Sequence, residues 1–216
     1  IAASHAAGIL TLADAARLSY HRGRLQQAKT GMGAMLAVGM TVEEAEPLLG
    51  EIPGYVCIAA VNSSRGITLS GDRESLQEIA SRLEREQVFA RFLNVNVPFH
   101  SAVMDSILPE FRESLAGIEP REGRIALVST VTGKTLEWRE MGPDYWLRNM
   151  RRPVLFAPAI DELVRTGHGL FLEISGHPVL AASMKECLAD AGAATGTVLP
   201  TLRRNEADDV MFHSSL

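Results

Sequence analysis

Residues 56–72 read VCIAAVNSSRGITLSGD, two apolar segments rich in β-branched residues on either side of a turn. This pattern predicts two neighbouring strands. A third apolar segment, GAMLAVGM, occupies residues 33–40, and amphipathic patterns predict helices at 41–50 (TVEEAEPLLG) and 73–87 (RESLQEIASRLEREQ). The predicted order is therefore strand, helix, strand, strand, helix.

One further strand completes this pattern. Residues 93–97, LNVNV, alternate apolar and polar side chains, as expected of a strand with one buried face, and Pro98 ends the alternation. The resulting βαββαβ order suits a small ferredoxin-like unit of split-βαβ type over residues 32–97.

Helices and short strands alternate in the rest of the chain, which indicates an α/β core. Thr11 and Asp14 have the spacing of a helix start, and the helical pattern continues to Gly31. The other predicted elements are helices at 104–115, 143–150, 157–167 and 179–192 and strands at 124–130 and 170–175.

Composition narrows the class of protein. Among 216 residues, 46% are hydrophobic and 22% charged, which is ordinary globular usage, and the net charge of −5 argues against a nucleic-acid surface. Cys57 and Cys187 lack the spacing of a disulfide framework or zinc site, so a reducing cytoplasm is expected. No apolar run reaches the roughly 18 residues of a membrane helix, and no metal-ligand set is visible.

Arg22 lies on an apolar stripe of the first long predicted helix. On a helical wheel it shares a narrow wedge with Ala15, Leu18 and Leu25. Burying an unpaired guanidinium is costly, so Arg22 is expected to have an anionic partner. Two interpretations stay open at this point: a structural salt bridge or snorkelling side chain, and a substrate carboxylate held by two parallel hydrogen bonds.

His100 directly follows the predicted strand 93–97, at a strand-to-helix junction where a side chain can project into a cleft. An imidazole there suits proton transfer near neutral pH. A helix cap or a satisfied polar residue is the alternative interpretation.

Several stretches, in order along nearly the whole chain, resemble the acyltransferase domains of modular polyketide synthases and malonyl-CoA:ACP transacylases. VPFHSAVMD resembles the segment that carries the family's catalytic histidine, YWLRNMRRPVLF its YWxxNxxxPVxF motif and FLEISGHPVL its LExGxHPxL motif. The other matching stretches are AASHAAGILTLADAARLSYHRGRL, GMGAMLAV, VNSSRGITLSGD and LPTLRRNEADD.

The resemblance implies a two-part architecture. Residues 1–31 and 98–200 would form an α/β-hydrolase-like core, and residues 32–97 the inserted ferredoxin-like subdomain. Residues 201–216 would begin the linker that follows an acyltransferase in a megasynthase.

The resemblance also assigns site residues. His100 would be the general base and acid, and Arg22 would pair with the free carboxylate of a malonyl-type group. The backbone carbonyl of Asn149 would accept a hydrogen bond from the imidazole. Asn62 matches a position near the active site, although asparagine is also a common turn residue.

The residues around His100 bear on the choice of substrate. Family members with Phe directly before the histidine tend to take malonyl, whereas those with Ser there tend to take methylmalonyl. Phe99 therefore favours malonyl, with Val97 beside it in the substrate-binding tetrapeptide, although Val97 and Pro98 fit neither family motif.

The chain opens on an uncapped apolar stretch without an initiator Met, which suggests that it begins inside a secondary-structure element. The resemblance implies that the family's GHSxGE motif, with its nucleophilic serine, ends just before Ile1. Residues 1–216 alone are therefore expected to be inactive. The whole domain would move a malonyl unit from CoA to the phosphopantetheine arm of an acyl carrier protein by a ping-pong Ser/His mechanism, without a permanently bound cofactor, beside a ketosynthase and other domains. The alternatives are a serine-type thioesterase or hydrolase and a non-catalytic megasynthase scaffold.

Overall fold

The computed structural model of the protein describes residues 1–193 and 196–215. Residues 194, 195 and 216, within the predicted core and linker, lie outside the described residues. The α-helices are α1 (Ala2–Ala6), α2 (Leu12–Gln27), α3 (Val42–Glu51), α4 (Arg73–Arg85), α5 (Leu108–Ser114), α6 (Pro143–Arg151), α7 (Phe156–Arg165), α8 (Ala181–Asp190) and α9 (Asp208–Ser214), with 3-10 helices at Ala102–Ile107 and Trp138–Glu140. The strands are β1 (Ala34–Val38), β2 (Val56–Ser63), β3 (Gly66–Gly71), β4 (Ala90–Phe92), β5 (Val128–Ser129), β6 (Lys134–Thr135), β7 (Val154–Leu155), β8 (Leu170–Glu173) and β9 (Thr197–Pro200).

Strands β1 to β4 form one antiparallel sheet in the order β4-β1-β3-β2, and β7 adds a parallel fifth strand beside β2. Alternate side chains on one face are apolar; Leu36 and Leu69, for example, are cross-strand partners and both are fully buried. Helices α3 and α4 pack against this face. Together they make the sheet core, whose largest buried side chains are Leu36, Ile67, Leu69, Leu76, Ile79 and Leu83.

The strand predicted at residues 93–97 is wrong, because β4 is formed by Ala90–Phe92 instead. The alternation in LNVNV does not correspond to one buried face: Leu93 is 39% exposed, whereas Val97 is 6% exposed and packs outside the sheet core. After β4 the chain leaves the sheet so that Val97 can reach this second core. A local pattern of five residues cannot show which of two cores an apolar side chain joins.

A helical core lies beside the sheet core and is built from the segment that follows α1, from α2, α5 and α6, and from the 3-10 helix Ala102–Ile107. The amphipathic helices bury one apolar stripe each, and the indole of Trp146 satisfies its N–H by donating to the Met141 carbonyl at 3.1 Å. The fully buried side chains of this core are Leu18, Met104, Phe111, Leu115, Met141 and Met150.

A third cluster, the C-terminal core, is formed by α7, α8 and the parallel pair β8–β9. The predicted core 1–31 and 98–200 therefore contains two hydrophobic clusters. The strand predicted at 124–130 is also shorter than expected, because only Val128 and Ser129 pair, and Ile125 is 63% exposed. The helix predicted at 104–115 is divided into the 3-10 helix Ala102–Ile107 and α5, and the other predicted helices and the strand at 170–175 are observed within a few residues of their predicted ends.

The α/β class predicted from the sequence is confirmed, since the fold combines these sheets and helices and matches α/β structures of known proteins described below. Within the described residues, no helix combines the length and the apolar character that a bilayer span requires.

Candidate active site

Arg22 projects from α2, whose position follows from its cap and its apolar stripe. The Thr11 hydroxyl accepts a hydrogen bond from the Asp14 amide at 3.0 Å and thereby fixes the start of the helix. Ala15, Leu18 and Leu25 are buried on one face, as the helical wheel predicted. Arg22 lies on this face, one turn from Leu18 and Leu25.

The guanidinium of Arg22 is partly buried, and the described residues supply no counter-ion to it. Burial alone lowers its pKa from the usual value, because the charged form loses solvation. In the described part of the chain no Asp or Glu pairs with it, whereas Arg24, two residues further on, pairs with Glu110 at 2.6 Å. A partly buried cation without a partner is poised to bind an external anion.

His100 lies in a strained turn after β4. Its φ of 58° is left-handed, a conformation that residues other than glycine adopt mainly where surrounding contacts enforce it. The Phe99 amide donates to the Val97 carbonyl at 2.9 Å. The fully buried Ser101 hydroxyl donates to the Pro98 carbonyl at 2.6 Å and accepts from the Val103 amide at 3.3 Å. These bonds fold the backbone tightly around the histidine.

A close backbone approach supports this turn from the sheet. Gly33 lies against Pro98 and the carbonyl of Gly71, and a Cβ at position 33 would overlap with both. Only glycine fits there, so Pro98, two residues before His100, lies directly against the residue that precedes β1.

The imidazole of His100 has a defined tautomer. Its Nδ1 lies 2.8 Å from the backbone carbonyl of Arg152, and since a carbonyl can only accept, Nδ1–H donates and Nε2 keeps its lone pair. The pKa of His100 is lowered to about 4, mainly by burial and also by the positive charge of Arg22, while the hydrogen bond to the Arg152 carbonyl acts in the opposite direction. At neutral pH the ring is therefore an uncharged base.

The expected role of Asn149 is wrong, because Arg152 supplies the carbonyl. Asn149 lies inside α6, where carbonyls are directed along the helix axis. Arg152 is the residue after the helix; it is extended, with ψ of 157°, which turns its carbonyl away from the axis. The residue before a proline is pushed to such a conformation, so Pro153 was the sequence signal for this position.

Arg22 and His100 belong to one electrostatic site. The charge of Arg22 lowers the pKa of His100. Helix α2 and the turn after β4 therefore converge. In the described residues no cluster of three His, Cys, Asp or Glu side chains has the arrangement of a metal site.

The comparison with known proteins decides the family. The model of the family described as "Acyl transferase domain" matches residues 1–216. The chain belongs to this family. The resemblance predicted from the sequence motifs is thereby confirmed.

Relatives of this acyl transferase domain are polyketide synthases. It is 38% identical over 217 residues to the spectinabilin polyketide synthase system protein NorA' of Streptomyces orinoci, a match that covers 100% of this chain and 6% of that protein. The chain therefore spans only a small part of the length of this relative.

Solved structures share the fold over nearly the whole chain. The acyltransferase domain from module 8 of the salinomycin polyketide synthase superposes with a TM-score of 0.94 at 34% identity, covering 99% of this chain and 50% of that one. A loading acyltransferase from the avermectin modular polyketide synthase gives 0.92 at 36% identity, covering 99% and 67%.

Asn62 and Val97, two of the other predicted site residues, contact neighbouring parts of the acyl transferase domain. Asn62 donates to the Thr68 hydroxyl at 3.3 Å. It lies at the opposite end of β2 from Cys57, whose thiol contacts the His100 carbonyl at 3.7 Å. The contacts described for Asn62 are with Thr68 and, through its carbonyl, with the Cys187 thiol, and its proximity to the active site stays a prediction. Val97 is buried in the helical core, where its role is packing.

Phe99 is half-buried beside His100 and packs against the helical core. Sequence reasoning missed two other neighbours of the turn, Tyr55 and Cys57. The Ala102 amide donates to the Tyr55 hydroxyl at 2.6 Å. These residues are more than 40 positions from His100 in the chain, and no motif marked them.

Proposed function

We propose that the domain transfers a malonyl-type acyl group from CoA to the phosphopantetheine arm of an acyl carrier protein. One observation carries this proposal: the partly buried Arg22 guanidinium has no internal counter-ion in the described residues, and its charge reaches a neutral imidazole. One unpaired cation together with one base suits an acyl group that ends in a carboxylate.

His100 would act through Nε2. Because Nδ1–H is held by the Arg152 carbonyl, Nε2 is the only ring nitrogen with a free lone pair. No GxSxG elbow occurs in residues 1–216, so the nucleophile in this proposal is a serine of a segment outside them. Nε2 would take the proton from that serine as it attacks the thioester, and return it to the departing CoA thiolate.

The second half-reaction would use the same base. The pantetheine thiol of the carrier protein gives its proton to Nε2 and attacks the acyl-serine ester. The serine oxygen leaves with the proton returned by the imidazole, so the enzyme regains its starting state and the kinetics are ping-pong.

Arg22 would select the substrate. It forms charge-assisted hydrogen bonds with the distal carboxylate of malonyl, a contact that acetyl cannot make. In a shielded pocket such a contact contributes about 1.5 to 3 kcal/mol, or roughly tenfold or more in selectivity. The partial burial of Arg22 removes competing water and supports this role.

Phe99 supports malonyl over methylmalonyl. Its ring is half-buried and rests on the helical core, so it has little freedom to move away from an α-methyl group beside His100. We propose that this crowding disfavours the branched substrate.

We also propose the two-part architecture of the resemblance, with residues 32–97 as a ferredoxin-like subdomain in an α/β-hydrolase-like core. The strand order β4-β1-β3-β2 with α3 and α4 on one face supports the first part. In the longer protein a carrier protein and a ketosynthase would be the partners.

The proposal is tested with the intact domain, meaning residues 1–216 together with the segment that carries the serine. Incubation with malonyl-CoA and a phosphopantetheinylated carrier protein is expected to give malonyl-carrier protein, detected by mass spectrometry. His100→Ala should lower the rate at least about 100-fold. Free malonate as the main product would instead indicate a hydrolase, and no turnover a scaffold.

A competition in the same assay tests the role of Phe99. With equal amounts of malonyl-CoA and methylmalonyl-CoA, malonyl-carrier protein should predominate, and Phe99→Ser should reduce this preference. A preference of the unmodified domain for methylmalonyl would contradict the steric argument.

A further inference from the structure

The backbone that follows His100 is held by two side chains from the sheet. The Ala102 amide donates to the Tyr55 hydroxyl at 2.6 Å, and this hydroxyl donates to the Cys57 thiol at 3.3 Å. The thiol lies 3.7 Å from the carbonyl of His100, to which it donates. The four groups form one continuous chain that begins and ends on residues 100–102.

Every donor in this chain has a single acceptor, which gives the chain one direction. Burial raises the pKa of the Tyr55 hydroxyl and of the Cys57 thiol, so both keep their hydrogens at neutral pH. The Tyr55 oxygen accepts from the Ala102 amide, and its own hydrogen is donated to the Cys57 sulfur. The hydrogen of the thiol is in turn donated to the His100 carbonyl.

Tyr55 is itself fixed to the sheet. Its amide donates to the Asp72 carboxylate at 2.6 Å, and the Asp72 amide donates to the Tyr55 carbonyl at 2.9 Å. Asp72 is the residue at which α4 begins. Tyr55 directly precedes β2. It thus connects β2 and the start of α4 with the turn that carries the imidazole.

We propose that Tyr55, with Cys57 as its acceptor, is a positioning residue for His100. The left-handed φ of 58° at His100 is unfavourable by itself and needs contacts that enforce it. The Tyr55–Cys57 pair binds the carbonyl of His100 and the amide two residues later, which are the groups that move if the turn relaxes. This keeps Nδ1 against the Arg152 carbonyl and Nε2 facing the substrate.

The inference rests on the proposed function, because it takes His100 as the base. It goes beyond the family resemblance, which assigns no role to Tyr55 or Cys57. It also predicts that these residues affect the rate of the chemical step and not the binding of the acyl group, which Arg22 governs.

The test compares Tyr55→Phe with Tyr20→Phe in the intact domain. Tyr20 is 65% exposed on α2 and takes no part in the turn, so it controls for the loss of a phenol oxygen. Tyr55→Phe should lower kcat for malonyl transfer roughly five- to tenfold, the worth of one buried hydrogen bond, with KM changed less than about twofold. Tyr20→Phe should leave both constants unchanged.

A spectroscopic measurement separates positioning from general stability. In Tyr55→Phe the ¹⁵N resonances of the His100 ring should move, because the bond from Nδ1 to Arg152 weakens, whereas Tyr20→Phe should leave them in place. Cys57→Ala, which keeps the bond from Ala102 to Tyr55, should have a smaller effect of roughly two- to threefold on kcat. If Tyr55→Phe does not fold, Cys57→Ala is the variant that tests the proposal.

The outcomes distinguish the two proposals. If the unmodified intact domain forms no malonyl-carrier protein, the proposed function is wrong, and if His100→Ala retains malonyl transfer, the role of His100 as the base is wrong. If His100→Ala is inactive but Tyr55→Phe and Cys57→Ala keep the normal kcat and the normal His100 resonances, the positioning role alone is wrong.

Discussion

Helix α2 and the turn after β4 deliver the two central side chains of the site in different ways. Arg22 is placed by a regular helix, with a threonine cap and a buried stripe that repeat the pattern of the sequence. His100 itself has a left-handed backbone, and hydrogen bonds from within the turn, from Arg152 and from the sheet hold it in place. One side chain depends on local sequence, and the other on contacts between distant segments.

This difference teaches where the structure is sensitive. A helix tolerates the loss of one contact, because its other hydrogen bonds and its buried stripe keep the direction of Arg22. The turn has few bonds, and each fixes a specific peptide group. Changes of equal size should therefore disturb His100 more than Arg22.

The largest expected effect in this comparison is that of Ser101→Ala. The fully buried hydroxyl bonds the Pro98 carbonyl and caps the following 3-10 helix, so its loss should lower the free energy of unfolding by about 2 kcal/mol. Because the turn relaxes, kcat of the intact domain should also fall. Denaturant unfolding and the transfer assay measure the two effects.

Thr11→Ala is the matched control on the helix. It removes the hydroxyl that caps α2 and should cost about 1 kcal/mol, measured by the same unfolding experiment. The carboxylate selectivity that Arg22 is proposed to provide should remain. If Thr11→Ala abolished the selectivity while Ser101→Ala left kcat intact, the contrast between helix and turn would be refuted.

A smaller effect is expected on the pKa of His100. Since the charge of Arg22 lowers this pKa, Arg22→Gln should raise it above about 4, as followed by NMR titration. Arg24→Gln, which removes the surface ion pair with Glu110, should not. A pKa that stays the same in Arg22→Gln would show that the two groups do not share a site.

The same pKa has a consequence for stability. The unfolded chain binds a proton at the ordinary histidine pKa of 6.5, the folded chain only at about 4. The free energy of unfolding should therefore fall as the pH drops from about 6.5 to 4. Above about pH 6.5, His100 should cause no change of this free energy with pH. In His100→Gln this loss should be reduced.

Local patterns predicted much of this protein. The cap at Thr11, the stripe with Arg22 and the two strands in residues 56–72 were all found where the sequence placed them, because each depends on neighbours within a few residues. The family resemblance added the expected role of His100, which no periodicity could supply.

Two predictions failed for different physical reasons. Residues 93–97 alternate like a strand, but Val97 is drawn into the helical core, which depends on how distant elements pack together and is not specified locally. Arg152 replaces Asn149 because the end of α6 decides which carbonyl is free, and for this position Pro153 was a local signal.

The central claim is that Arg22 recognises the substrate carboxylate beside His100. The most direct test measures transfer of malonyl and of acetyl from CoA by Arg22→Ala in the intact domain, with Arg24→Ala as the control. We expect Arg22→Ala to reduce malonyl transfer roughly tenfold or more and to spare acetyl transfer, with both activities kept in Arg24→Ala. Equal losses for malonyl and acetyl in Arg22→Ala would contradict the claim.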